Sequence, residues 1–160
     1  MLQVPPRTYS QSSLAGAPAF MGSDARLAAV DDVGAAVNPL TLHGQLHGSI
    51  AQGLGETLME ELVYDRQTGQ LLSGSFMDYA MPRADIMPDI ASELALVPTG
   101  TNLLGVKGGS EAGNVGAPAA IVNAIIDALA PLGVTDIPLP ATNERIWQSI
   151  QASLLLKVTN

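Results

Sequence analysis

The residues best suited to chemistry concentrate between Gly105 and Gly116, where the chain reads Gly-Val-Lys-Gly-Gly-Ser-Glu-Ala-Gly-Asn-Val-Gly. Five glycines ahead of a helical segment would expose backbone N–H groups at a positive dipole end, an arrangement that cradles phosphate or a metal-oxo group. No Gly-Lys-Ser/Thr closes the run, so it is not a P-loop, and Gly-x-Gly-x-x-Gly is missing as well. A flexible strand-to-helix connection explains the same glycines equally well. Glu111 lies inside the loop, where a carboxylate among backbone donors could act as a general base. Its plainer role is to face the dipole of the following helix, worth about 0.5 kcal/mol, and the residues alone favour that role.

Other candidates are weaker. Ser110 misses the Gly-x-Ser-x-Gly hydrolase elbow by one residue, and both histidines precede it, against that fold's order of Ser, acid, His. His43 and His47 are one helical turn apart, which permits joint metal binding. However, Gly44 stands where His-Glu-x-x-His needs its glutamate, and no third ligand is evident. Two packed or hydrogen-bonded histidines is the better reading, and no metal ligand is assigned. Gln45 and Gln52 share a helix face, and an amide there could bond a heterocycle or a cofactor's polar group. Met77, Met81 and Met87 read as core filler or interface.

These groups must be held by elements of modest length. Residues 1–26 show no periodicity and read as an irregular lead-in. Leu27–Val33 reads as a short strand, followed by a turn at Asn38-Pro39. From Leu40 to about Tyr64 the period is helical: Leu46, Ile50, Leu54, Leu58 and Leu62 recur every four residues. Gly44, Gly48 and Gly55 fall on one side of that helix, which suggests close approach of a backbone or ligand there. Gln70–Phe76 and Ser92–Val97 read as strands. A second helix is expected over Ala117–Ala130 with Pro118 in its first turn, and Ile121, Ala124, Ile125 and Ala128 on its apolar face. A short last helix, Asn143–Ala152, should turn Ile146, Trp147 and Ile150 inward. The fold class is therefore mixed α/β, with short strands and two main helices.

Composition narrows the function. Of 160 residues, 47% are hydrophobic and 14% charged, with a net charge of −8 and no cysteine. Disulfides, Cys-based zinc sites and iron–sulfur ligation within this chain are excluded. The acidic balance argues against nucleic-acid binding. No apolar stretch in the sequence reads as a membrane span, and the first residues lack the blocks of a signal peptide. A cytoplasmic protein is expected. So low a charge on a small body suggests a surface to be covered by other protein.

In order and spacing, the chain presents Asp31-Asp32-Val33-Gly34, Asn38-Pro39, Gly44-Gln45-Leu46-His47-Gly48, Gln52-Gly53-Leu54-Gly55 and Glu60-Glu61. It continues with Ser75-Phe76-Met77-Asp78-Tyr79-Ala80-Met81-Pro82-Arg83-Ala84-Asp85, Lys107-Gly108-Gly109-Ser110-Glu111-Ala112-Gly113, Gly116-Ala117-Pro118 and Glu144-Arg145-Ile146-Trp147. From about Leu27 to Ile150 this series resembles the C-terminal part of the molybdopterin-binding large subunit of molybdenum hydroxylases. That family includes xanthine dehydrogenase, aldehyde oxidoreductase and aerobic carbon monoxide dehydrogenase.

The resemblance implies that residues 27–160 form a segment of a molybdopterin-binding domain. It implies that Glu111 is the active-site base beside molybdenum and that Gln45 is the amide contacting the cofactor. Gly108, Gly109 and Ser110 would face the pterin. The implied cofactor is molybdenum-molybdopterin, with the cytosine dinucleotide form among the alternatives, shared with an upstream segment. The implied partners are the rest of the large subunit plus iron–sulfur and flavin subunits, acting on a small molecule: an aldehyde, purine, heterocycle or carbon monoxide. The family usually has glycine where Ser110 stands, so a turn needing positive φ would have to shift. Family members are several times longer, and the lead-in of residues 1–26 is unlike theirs, which suggests a truncated or frameshifted reading frame. The alternative is a non-catalytic remnant or accessory module.

Overall fold

The computed structural model describes Leu2–Gln3 and residues 26–158; the rest of the expected lead-in lies outside the described residues. Strand β1 (Leu2–Gln3) pairs antiparallel with β2 (Arg26–Asp32), which pairs in parallel with β3 (Asp89–Ala95). The β2–β3 register runs from Arg26 opposite Asp89 to Asp32 opposite Ala95. Parallel neighbours require a crossover, and helix α1 (Pro39–Leu58) lies within it. The class is mixed α/β, as the sequence indicates.

Asn38 starts α1: its side-chain carbonyl accepts the Thr41 N–H at 3.3 Å, and Pro39 occupies the first turn, where its missing N–H is not needed. The four-residue stripe is the core seam. Leu46, Ile50 and Leu54 are buried to 1% exposure or less, and Leu58 packs at the margin. The helix ends at Leu58 rather than Tyr64, because Met59 and Glu60 both donate to the Gly55 carbonyl, at 3.0 and 2.9 Å. Leu62 therefore lies beyond the helix and is exposed.

Helix α2 spans Ala112–Leu129, not Ala117–Ala130. It takes in Gly113 and Gly116, and Pro118 sits inside it rather than in its first turn. Proline cannot donate to the carbonyl four residues back, which is that of Asn114. Gly53 of α1 packs at this carbonyl: a Cβ there would lie 3.2 Å from Asn114 O and 3.0 Å from the Ala117 Cβ. Ala117, Ile121, Ile125 and Leu129 then line the α1-facing side, each at 1% exposure or less. With the 3-10 turn at Ala130–Leu132, this segment of 21 residues is long and apolar enough, by length and composition alone, to cross a membrane. That corrects the expectation that no stretch qualifies. Its one buried stripe, Ala117, Ile121, Ile125 and Leu129, packs against α1.

Helix α3 (Asn143–Val158) is longer than expected, so the described chain has three main helices rather than two. Ala141 N–H donates to the Thr57 carbonyl at 2.6 Å, and Arg145 bonds the Pro140 carbonyl and pairs with Glu61. These contacts hold α3 to the C-terminal end of α1. Ile146 is buried, but Trp147 is 60% exposed, contrary to expectation. Adjacent helical positions are about 100° apart, and Ile146 and Ile150 already occupy the inward side.

The expected strand over Gln70–Phe76 does not form; a single bridge pairs Leu71 with Tyr64. Asp65 Oδ1 accepts from Gln67 N, Thr68 N and Thr68 Oγ1, closing a tight turn. Beyond it, Ser75 bends the chain again by accepting Asp78 N and Tyr79 N on its carbonyl.

Candidate functional site

The segment carrying Glu111 is pinned at its start to the end of β2. Gly34 and Val106 form an antiparallel bridge, and Lys107 N–H donates to the Val33 carbonyl at 3.0 Å. The Gly105 carbonyl accepts from Ala35 N at 2.9 Å and Thr99 N at 3.1 Å. Gly34 is required here: its φ is +67°, and a Cβ would sit 2.3 Å from Gly105 O.

Asp32 joins these strands. Its Oδ1 accepts Gly34 N at 3.0 Å and Val97 N at 3.4 Å, while Oδ2 receives the Lys107 ammonium at 2.5 Å. The hydrogen bond from Lys107, followed by that from the Gly34 amide, holds the Asp32 carboxyl below the usual carboxylate range. In the sequence Asp32 stands out only as part of the family pattern Asp31-Asp32-Val33-Gly34. Val97 and Lys107 lie 65 and 75 positions from it, and no local spacing signals them.

Past Lys107 the loop crosses the start of α1. A Cβ on Gly108 would meet nothing within 4 Å, whereas one on Gly109 would lie 2.8 Å from Val33 Cγ1 and 3.4 Å from Leu42 Cδ2. Among the described residues no non-glycine has positive φ, and neither Gly108 nor Gly109 does. The loop thus needs no left-handed residue at position 110. Ser110 fits without strain, and its hydroxyl donates to Glu111 Oε2 at 2.6 Å.

Glu111 immediately precedes α2 but makes no side-chain capping bond. It is exposed, so its carboxylate is not consumed in closing the helix. One turn further on, Asn114 Oδ1 is buried without a hydrogen-bond partner. Gly113 lies against α1 so closely that a Cβ would be 2.2 Å from Ser49 Oγ and 3.1 Å from Ile50 N.

Gln45 is exposed on α1 between Leu42, which touches the loop at Gly109, and Ser49, which touches Gly113. Positions three and four apart share a helix face, so Gln45 lies on the side of α1 that faces Gly109 and Gly113. No hydrogen bond joins it to Glu111. Gln52 instead donates to Glu56 at 3.0 Å. The expectation of close approach at Gly44, Gly48 and Gly55 divides: Gly44 and Gly48 face open space, and Gly55 meets Glu60 and Pro82.

The histidines are hydrogen-bonded. His43 Nδ1 and His47 Nε2 lie 2.8 and 2.9 Å from the same Ser92 Oγ. One hydroxyl has one proton, so in the neutral state one ring accepts it and the other donates to the oxygen. Among the described residues no group of three or more His, Asp or Glu is placed to hold a metal ion.

Residues 25–88 match the molybdopterin cofactor-binding domain family, a segment containing Gln45 and ending before Glu111. The chain is 40% identical over 128 residues to the nicotine 6-hydroxylase large subunit of Paenarthrobacter nicotinovorans, covering 80% of this chain and 16% of that one. It is 33% identical over 126 residues to the carbon monoxide dehydrogenase large chain of Hydrogenophaga pseudoflava, covering 79% and 16%. In structure it superposes on quinoline 2-oxidoreductase from Pseudomonas putida 86 with a TM-score of 0.74 and 41% identity, over 82% of this chain and 17% of that one. The chain belongs to the molybdenum hydroxylase large-subunit family. It spans about one sixth of the length of the relatives it matches. As a portion of such a subunit, it places the glycine loop, Glu111 and Gln45 on the junction of β2, α1 and α2.

Proposed function

We propose that this chain supplies part of the molybdopterin site of a cytoplasmic molybdenum hydroxylase, with Glu111 as its general base. The supporting observation is the Glu111 carboxylate itself: exposed at the start of α2, held by Ser110, and not used as a cap. The residues around it suit a polar group that carries both donors and acceptors. Gly108 leaves open space, Asn114 Oδ1 has no partner, and the Gln45 amide is exposed.

Gln45 would donate its amide N–H to the cofactor's acceptor oxygen, and the backbone of Gly108, Gly109 and Ser110 would line the pterin. When bound, molybdenum-molybdopterin supplies two-electron oxidation chemistry; its cytosine dinucleotide form belongs to this proposal. The Glu111 carboxylate would take the proton given up by the hydroxyl that attacks the substrate, and the Ser110 hydroxyl keeps one carboxylate oxygen oriented. These 160 residues contain no cysteine, so cysteine-ligated iron–sulfur clusters would be held outside them. The proposed assembly therefore includes the rest of the large subunit, an iron–sulfur subunit and a flavin subunit, oxidising an aldehyde, purine, heterocycle or carbon monoxide.

Co-expression of this chain with those components tests the cofactor assignment. Molybdenum and pterin should co-purify with the assembly, and Gln45→Ala should lower the molybdenum content per complex. Molybdenum that never co-purifies would remove the cofactor role.

A further inference from the structure

We infer that Asp32 is a positioning residue for Glu111, acting through Lys107 to fix the register of the loop on which the carboxylate stands. This deepens the reading of Glu111 as the base and rests on it. Only three residues separate Lys107 from Glu111, and they include Gly108 and Gly109, the most pliable links available. Gly108 has no neighbour within 4 Å of where a side chain would start. The loop is fastened beyond them by α2 and before them by Lys107. The Lys107 backbone N–H is bonded to Val33 O, and its ammonium reaches Asp32 Oδ2.

Asp32 is suited to be the fixed end of this pair. Its other oxygen is held by the amides of Gly34 and Val97, which follow the two parallel strands β2 and β3. A carboxylate with both oxygens engaged cannot swing to follow a moving lysine, so the lysine is brought to a fixed point on the sheet edge. The charge on Asp32 thereby sets where the glycine pair begins, and with it where Ser110 and Glu111 stand.

Amide hydrogen exchange on the full chain tests this directly. Lys107→Met and Asp32→Asn should each speed exchange at Gly108–Ala112 by about three- to fivefold, as expected for loss of a partly exposed ion pair that holds a local segment. Amides of β2 and β3 should be unchanged. Lys107→Arg should retain wild-type rates, and the double variant should exchange no faster than either single one. Unchanged loop rates in both single variants would overturn the inference. So would equal acceleration of loop and sheet, which would mark Asp32 as merely structural, or a Lys107→Arg rate as fast as that of Lys107→Met. Exchange does not depend on what Glu111 does in turnover, so this test can fail while the base assignment stands, and the reverse.

Discussion

A methyl group added at Gly113 would collide with Ser49 Oγ and crowd Ile50 N, whereas at Gly44 it would meet nothing within 4 Å. Gly113→Ala should therefore destabilise the chain by about 1–3 kcal/mol through overpacking at the α1–α2 crossing. Gly44→Ala should stabilise it by about 1 kcal/mol through helix propensity. Urea titration of the two variants checks both signs. The ionisable residues give a second expectation. Asp32 is held below its ordinary value of 3.8, so its contribution to stability is fully present above that value and is lost as pH falls through the lowered one. Asp32→Asn should accordingly flatten the acid limb of stability against pH. Tyr79 moves the other way. Its hydroxyl donates to Glu60 Oε2 at 2.6 Å, which raises its pKa above 10.0. Spectrophotometric titration should show the Tyr79 phenol titrating late, and Glu60→Gln should return it toward the ordinary value.

At the scale of elements, the α1–α2 pair carries the core, and its apolar stripes were legible in the sequence. Leu46, Ile50, Leu54, Ile121 and Ile125 are buried where the helical period put them. Ile125→Ala should cost about 2–5 kcal/mol by leaving a cavity that neighbours fill only in part, again read by urea titration. The start of α2 was not legible. Its glycines and Pro118 argue locally against helix, and only packing against Gly53 and Ser49 of α1 offsets them. Likewise the two faces of α3 could not be assigned from Ile146, Trp147 and Ile150 alone, since the deciding contacts come from Thr57 and Glu61 on other segments. Gln45, Gly108, Gly109, Ser110 and Glu111 were legible as candidates through the family pattern. The Asp32 anchor was not, because two of its three donors, Val97 N and the Lys107 ammonium, come from distant parts of the chain.

At the scale of the whole molecule, the described residues leave large apolar side chains uncovered, including Phe76 at 84% exposure, Met77 at 93% and Trp147 at 60%. Together with 14% charged residues, this suits the proposed role as one part of a larger subunit, in which further protein would cover such surfaces. Glu111 is proposed to supply a base to a molybdopterin site. That role is tested most directly by turnover of the reconstituted assembly carrying Glu111→Gln, with molybdenum content measured on the same sample. A fall in kcat of about 10²–10⁴-fold, the usual contribution of a positioned general base, with molybdenum retained, is the predicted result. Unchanged turnover at full molybdenum occupancy would contradict it.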